Sequence, residues 1–371
     1  MARMISDASR RSFLRRFSLL GAAPTMLGAL GEGVLAAAEP AQKNNDDNPS
    51  ASSQTKIWSD EYWAQRGNVK LSLFRKRRDA PRSRSVADPV LFLVHGSSIS
   101  ARPSFDLTVP GHGEYSLMNK FAEYGFDVWT MDFTGYGKSS AGEGNSNIDD
   151  GVKDLTAAVE VVKRETGQQR YHFFGESSGA LRAGAFAMDH PERVNRLVLT
   201  ALTYTGEGSP TLADRAKQLE FYRTHNRRPR DRAMIHSIFT RDKAGTSDPA
   251  VGDALADAEL RYGDSVPTGT YLDMTANLPV IDPEKIHAPA LVARGEYDGI
   301  ATEADCLNFY RKLVNPDRQF AILPGMAHSL VLGLNRHQLW HIAREFLEMP
   351  PRLDSLRQDE AVSARLDAPA R

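Results

Sequence analysis

The run Val90-Leu91-Phe92-Leu93-Val94 contains no polar residue, and similar short apolar runs recur at Tyr171–Phe174, Arg196–Leu199, Ala290–Ala293 and Gln319–Leu323. A strand that is apolar at successive positions must be covered on both faces, as happens in parallel sheets packed between helices. Between these runs lie stripes with helical spacing. Val152, Leu155, Val159 and Val162 form one, Leu117, Met118 and Phe121 a second, and Leu339, Ile342 and Phe346 a third. Intervals of three and four residues place each set on one helix face. Strand–helix alternation of this kind predicts a mostly parallel sheet with helices on both sides. Phe126–Met131 reads as a further strand of the series. Ile57–Arg78, with alternating stretches such as Val69–Phe74, reads as one or two antiparallel edge strands. Helices are also expected after Ser177 and over Ala304–Val314.

The alternation pauses between Tyr204 and Asp282, a stretch rich in Arg, Asp and Gly. Helical patterns are expected there at Ala213–Arg223, Arg232–Phe239 and Ala254–Tyr262. With 371 residues, 41% of them hydrophobic, the chain can build one large α/β domain with an inserted subdomain. A formal net charge of −1 offers no electrostatic footprint for nucleic acid. The single cysteine, Cys306, excludes an intrachain disulfide and reads as a small semi-buried hydrophobe. No zinc-type spacing is present.

Residues 1–38 read as a targeting segment. Ser9-Arg10-Arg11-Ser12-Phe13-Leu14-Arg15 precedes a mildly apolar run from Phe17 to Ala38 that ends on Ala36-Ala37-Ala38. Paired arginines, a weakly hydrophobic middle and a small-residue cleavage site resemble a twin-arginine export signal. Glu32 and several glycines make the run a poor permanent membrane span. The twin-arginine export machinery is therefore an expected partner, with a periplasmic or secreted product. Residues 39–55 read as a polar leader and residues 350–371 as a polar tail.

In open α/β sheets, reactive groups collect at the carboxyl ends of the strands. His95-Gly96-Ser97-Ser98 follows one predicted strand, and Gly175-Glu176-Ser177-Ser178-Gly179 another. Gly295-Glu296-Tyr297-Asp298 and Gly325-Met326-Ala327-His328 follow two more. Ser177 lies between glycines at a strand-to-helix corner, where a strained turn projects its hydroxyl from the sheet. A serine hydroxyl needs a base to take its proton as it attacks, and histidine titrates near working pH. A carboxylate behind the ring fixes its tautomer. The order Ser177, Asp298, His328 is that of a single serine-hydrolase fold. From the residues alone, Glu303 and Glu207 remain alternative carboxylates. His95 reads as a turn-stabilising residue, and His112 as part of the pocket rim. The segment Arg215–Lys243 is strongly basic, which fits either a solvated surface or attraction of a carboxylate-bearing substrate. Of Phe221, Tyr222, Met234, Ile238 and Phe239, one or two are expected to wall the pocket.

Together with the Asp132-Phe133-Thr134-Gly135-Tyr136-Gly137-Lys138-Ser139 loop, these motifs resemble the α/β-hydrolase superfamily over about residues 57–348. The resemblance implies an eight-stranded, mostly parallel sheet formed by residues 56–203 and 283–349, with a helical cap at 204–282 inserted after strand 6. It also implies Ser177 as nucleophile, His328 as general base and then acid, and Asp298 as the orienting carboxylate. The backbone N–H groups of Ser97 and Ser178 would form the oxyanion hole. The expected activity is hydrolysis of a carboxylic ester or lactone, a small-molecule acyl substrate, with no cofactor or metal. Serine at the elbow argues against the chemistry of relatives that carry aspartate there.

Overall fold

The computed structural model describes residues 56–81 and 87–350. The expected export signal, the leader and the tail beyond residue 350 lie outside these residues. In chain order the elements are β1 (Ile57–Arg66), β2 (Val69–Arg78), β3 (Val90–Val94), α1 (Ala101–Phe105), α2 (Leu117–Tyr124), β4 (Asp127–Met131), α3 (Ile148–Thr166), β5 (Tyr171–Glu176), α4 (Ser178–Asp189) and β6 (Val194–Thr200). An inserted segment follows, with α5 (Pro210–Ala216), α6 (Leu219–Thr224), β7 (Arg227–Pro229), α7 (Arg232–Thr240), α8 (Pro249–Glu259), β8 (Ser265–Pro267) and α9 (Gly269–Leu272). The chain then returns to the sheet through β9 (Ala290–Gly295), α10 (Glu303–Lys312), β10 (Arg318–Leu323) and α11 (Arg336–Glu348).

Eight strands form one sheet in the order β1-β2-β4-β3-β5-β6-β9-β10. β2 runs antiparallel to both neighbours, and every pairing from β4 to β10 is parallel. This is the α/β-hydrolase fold. The unbroken apolar strands are explained by the two cores they serve. Val90, Phe92 and Val94 of β3 face a layer that includes Leu155 and Val159 of α3 and Phe186 of α4. Leu91 and Leu93 face the opposite layer, with Met118 and Phe121 of α2 and Leu339 and Phe346 of α11. Phe173 and Phe174 of β5 divide between the layers in the same way.

Local chemistry sets the helix ends. The Asn147 side chain accepts a hydrogen bond from the Asp150 N–H at the start of α3, with Asp149 and Asp150 in the first turn. Lys163 and Arg164 lie in the last turn, and Gly167 closes the helix at φ 73°. Negative charge at the start and positive charge at the end both complement the helix dipole. The inserted segment departs from the expectation of helices alone. β7 and β8 form a short antiparallel ribbon, joined by residues far apart in the chain and with no apolar alternation in β7. Among the described residues, no helix is long and apolar enough to cross a membrane.

The antiparallel strand β2 is tied to β4 by a buried ion pair. Arg75 Nε donates to Asp127 Oδ1 at 2.7 Å and Nη2 to Oδ2 at 2.5 Å, and both side chains are 2% exposed. Removing one member of a buried pair strands the other charge, at a cost of about 3–5 kcal/mol. Asp127→Ala is therefore expected to lower the unfolding free energy by about that amount in a denaturant titration. A loss under about 1 kcal/mol would show that the pair is solvated in solution.

Candidate active site

The corner between β5 and α4 is tightly packed. A Cβ on Gly179 would stand 2.0 Å from the Val94 carbonyl oxygen, and one on Gly175 would stand 2.5 Å from the Gly179 carbonyl oxygen. Only glycine fits either position, so α4 starts directly against the end of β3. Between them Ser177 adopts φ 59° and ψ −127°, a backbone conformation that side-chain-bearing residues rarely accept. Its N–H bonds the Thr200 carbonyl at 2.9 Å.

The structure brings Ser177, His328 and Asp298 into one line. His328 Nε2 lies 2.9 Å from Ser177 Oγ, and His328 Nδ1 lies 2.9 and 3.0 Å from the two Asp298 carboxylate oxygens. With Nδ1–H donating to the carboxylate, Nε2 is left to accept the serine proton. Asp298 Oδ1 also accepts the N–H groups of Ile300 and Ala301, each at 2.9 Å. Burial raises the Asp298 pKa, but the imidazole and these N–H groups outweigh it and hold the carboxyl below its usual value. The two alternative carboxylates lie elsewhere. Glu207 is exposed, and Glu303 is mostly exposed, 4.0 Å from Arg294.

Ser97, just past β3, lines the cleft, and Ser178 is the first residue of α4. Their backbone N–H groups are not spent on other backbone acceptors among the described residues. Their side chains form a buried relay, with Thr270 Oγ1 donating to Ser97 Oγ at 2.8 Å and Ser97 Oγ donating to Ser178 Oγ at 2.7 Å. Tyr136 OH holds the Ser97 carbonyl at 2.8 Å. His95 is fully buried, its Nδ1 2.8 Å from the Gly96 carbonyl and its Nε2 accepting the Phe133 N–H at 3.3 Å. Burial and the nearby Arg182 push its pKa down to about 3, so it braces the turn as a neutral ring. His112 pairs with Asp248 at 2.7 Å and is absent from the cleft lining.

Sequence reasoning missed several contributors. The inserted segment grips the Ser97–Ser100 loop directly. Arg230 Nη1 bonds the Ser98 carbonyl at 3.2 Å and also pairs with Glu259. Glu259 Oε2 accepts the Ser100 N–H and hydroxyl at 3.1 and 2.6 Å. Tyr271 OH and Ser98 Oγ are 2.7 Å apart. The cleft holds about 470 Å³ of atom-free space, part of it open to solvent. Ser177, His328, Glu176, Ile99, Ile238, Arg215 and Arg241 are among its walls. The basic run flagged in the sequence was the one available signal for the two arginines. Among the described residues, no three His, Cys, Asp or Glu side chains are grouped to hold a metal ion.

Comparison with known proteins agrees with the fold. The family profile described as serine aminopeptidase, S33, matches residues 109–334, and the chain belongs to this family of α/β-hydrolases. A stretch of 123 residues, 33% of this chain, is 35% identical to a 2-hydroxy-6-oxononadienedioate/2-hydroxy-6-oxononatrienedioate hydrolase of Paraburkholderia phymatum. That match spans 38% of the relative's own length. Among solved structures, the enol-lactonase of Burkholderia xenovorans LB400 superposes with a TM-score of 0.56 at 20% identity, covering 78% of this chain and all of the other. The 2-hydroxy-6-oxo-6-phenylhexa-2,4-dienoate hydrolase of Rhodococcus sp. RHA1 gives 0.58 at 18% identity, covering 79% and 100%.

Glu176, beside Ser177, is pushed up to about 7, chiefly by burial, with the nearby Asp298 charge adding to it. Its usual value is 4.5, so between these limits the folded chain keeps a proton that the unfolded chain releases. Stability from this group is full below about pH 4.5 and is lost as pH rises through about 7. Glu176→Gln should therefore gain in melting temperature relative to the parent protein as pH is raised from 5 to 8. A difference independent of pH would contradict the assignment.

Proposed function

We propose that this protein is a serine hydrolase that cleaves a carboxylic ester or lactone through an acyl-enzyme on Ser177. The observation that carries the reading is the 2.9 Å contact between His328 Nε2 and Ser177 Oγ, at an elbow whose serine has φ 59°. Ser177 Oγ attacks the substrate carbonyl as Nε2 takes its proton, and the Asp298 carboxylate stabilises the resulting imidazolium through Nδ1–H. The carbonyl oxygen, now negative, receives hydrogen bonds from the Ser97 and Ser178 N–H groups. Donors of this kind typically lower a barrier by about 3–4 kcal/mol. His328 passes its proton to the leaving oxygen, and the alcohol departs. It then deprotonates a water that attacks the acyl-enzyme, releasing the acid and restoring the serine.

Hydrolysis of a carbon–carbon bond next to a ketone is the second reading. It is supported by the similarity to the Paraburkholderia hydrolase and uses the same three side chains. Amide or peptide cleavage shares this machinery and follows from the family description, and acyl transfer differs only in the acceptor. A panel of p-nitrophenyl esters, lactones, vinylogous diketones and amides separates these reactions by relative kcat/KM. A non-catalytic binding protein on the same scaffold would turn over none of them.

Fluorophosphonate labelling is expected on the parent protein and absent in Ser177→Ala. His328→Ala and Asp298→Asn should each lower kcat by about 10⁴-fold or more with the fold retained. Glu207→Gln should remain near the parent rate. Near-normal turnover in His328→Ala would rule out its role as base. For location, we propose export by the twin-arginine route, on the strength of Arg10-Arg11 and the apolar run that follows. Replacing both with lysine should leave the precursor in the cytoplasm in a fractionation assay, whereas unchanged export would refute that route.

A further inference from the structure

We propose that the substrate carries a carboxylate in addition to the scissile acyl group, and that the Arg215 guanidinium binds it inside the cleft. The inference rests on the acyl-enzyme reading above and names the substrate class of that same site. On the inserted-segment side, the cleft that contains Ser177 and His328 is walled by Arg215, Ile238 and Arg241. Arg215 is half-buried. Among the described residues it has no carboxylate partner, although the nearby Lys217 and Arg223 each have one. Its guanidinium carbon stands 5.2 Å from the centre of the Tyr271 ring, and that of Arg228 stands 4.6 Å from the same ring. Arg241 has only a 3.3 Å contact with its neighbour Asp242.

Elsewhere in the inserted segment, Arg227, Arg228 and Arg261 likewise form no ion pair among the described residues but do not line this cleft, whereas other arginines are matched. Arg232 pairs with Asp253 and Asp257, and Arg230 with Glu259. Burial and then the charge of Arg241 push Arg215 down to about 10, which still leaves it cationic at neutral pH. Like charges gathered in a recess are unfavourable alone and favourable once an anion joins them. The one acidic lining residue, Glu176, directs its carboxyl to the Val331 N–H at 3.4 Å and pairs with neither arginine. A guanidinium fork matches a carboxylate through two parallel hydrogen bonds. Ile99 and Ile238 supply apolar wall to the same cleft. Tyr271, under Arg215, bonds Ser98 beside the Ser97 N–H, so the anchor and the oxyanion site share one support. A half-ester or a carboxylate-bearing lactone carries both groups that such a cleft would bind.

Two matched pairs test this and locate the carboxylate. One compares 4-nitrophenyl hydrogen glutarate with 4-nitrophenyl pentanoate (acyl side), the other 4-carboxyphenyl butyrate with phenyl butyrate (leaving-group side). At least one pair should favour the anion in kcat/KM. Arg215→Ala should reduce that preference about 10- to 100-fold, the worth of a hydrogen bond to a charged group, and Arg215→Lys should restore part of it. Arg232→Ala, a surface change, should leave the preference intact. Equal loss in Arg232→Ala would assign the effect to the overall field of the segment and overturn the contact. So would a preference for the neutral member in both pairs, or a preference unaltered by Arg215→Ala. Calorimetric binding of glutarate supplies a readout independent of turnover. Affinity at least about 10-fold weaker in folded Arg215→Ala supports the anchor, and equal affinity removes it. Failure of the acyl-enzyme reading is seen separately, as absence of fluorophosphonate labelling and of all ester cleavage in the parent protein.

Discussion

The contact on which the rest depends is the packing of the Gly179 backbone against the Val94 carbonyl, so close that a methyl group would stand 2.0 Å from the oxygen. It draws the first turn of α4 onto the end of β3 and compresses the connection from β5. Ser177 is left in a conformation, φ 59°, that a free chain would avoid. The surrounding sheet sustains it, because β5 is paired on both edges, with β3 and β6. Where the two chain segments meet, the Ser97 and Ser178 hydroxyls are joined at 2.7 Å.

Around this point the molecule is built of layers that answer different demands. The central strands bury both faces, and at the carboxyl ends of the sheet β9 delivers Asp298 and β10 leads to His328. Asp298 is itself held by two backbone N–H groups, so the carboxylate is fixed before the imidazole meets it. The inserted segment works through polar contacts. Arg230, Glu259, Thr270 and Tyr271 all reach the Ser97–Ser100 loop. Changes in the segment can therefore alter the reacting centre as well as the shape of the cleft.

Much of the fold was legible because burial on both faces leaves a signature in sequence. Val90–Val94 was delimited to the residue, and the runs at 171, 196, 290 and 319 each fell inside an observed strand. Boundaries slipped where polar residues end a strand, as at Arg294-Gly295, which belong to β9 although the apolar run stops at Ala293. α1 was missed because five residues containing Arg and Pro carry no period. The β7–β8 ribbon was missed because its strands, 3 residues each, are paired by a loop closure that no local pattern records. His112 sits with Asp248 and away from the cleft, a pairing of two loops equally invisible along the chain.

The division follows from what each level of description contains. Order along the chain carried the three side chains that converge: a serine flanked by glycines, a later aspartate and a still later histidine, each just past an apolar strand. Hydrophobic burial forces those strands together, so their ends converge whatever the loops do. Distances, partners and charge balance belong to the folded chain. That His328 meets Asp298 while Glu207 faces solvent depends on contacts between segments tens of residues apart. Such contacts are chosen by packing in three dimensions, and residue type alone does not encode them.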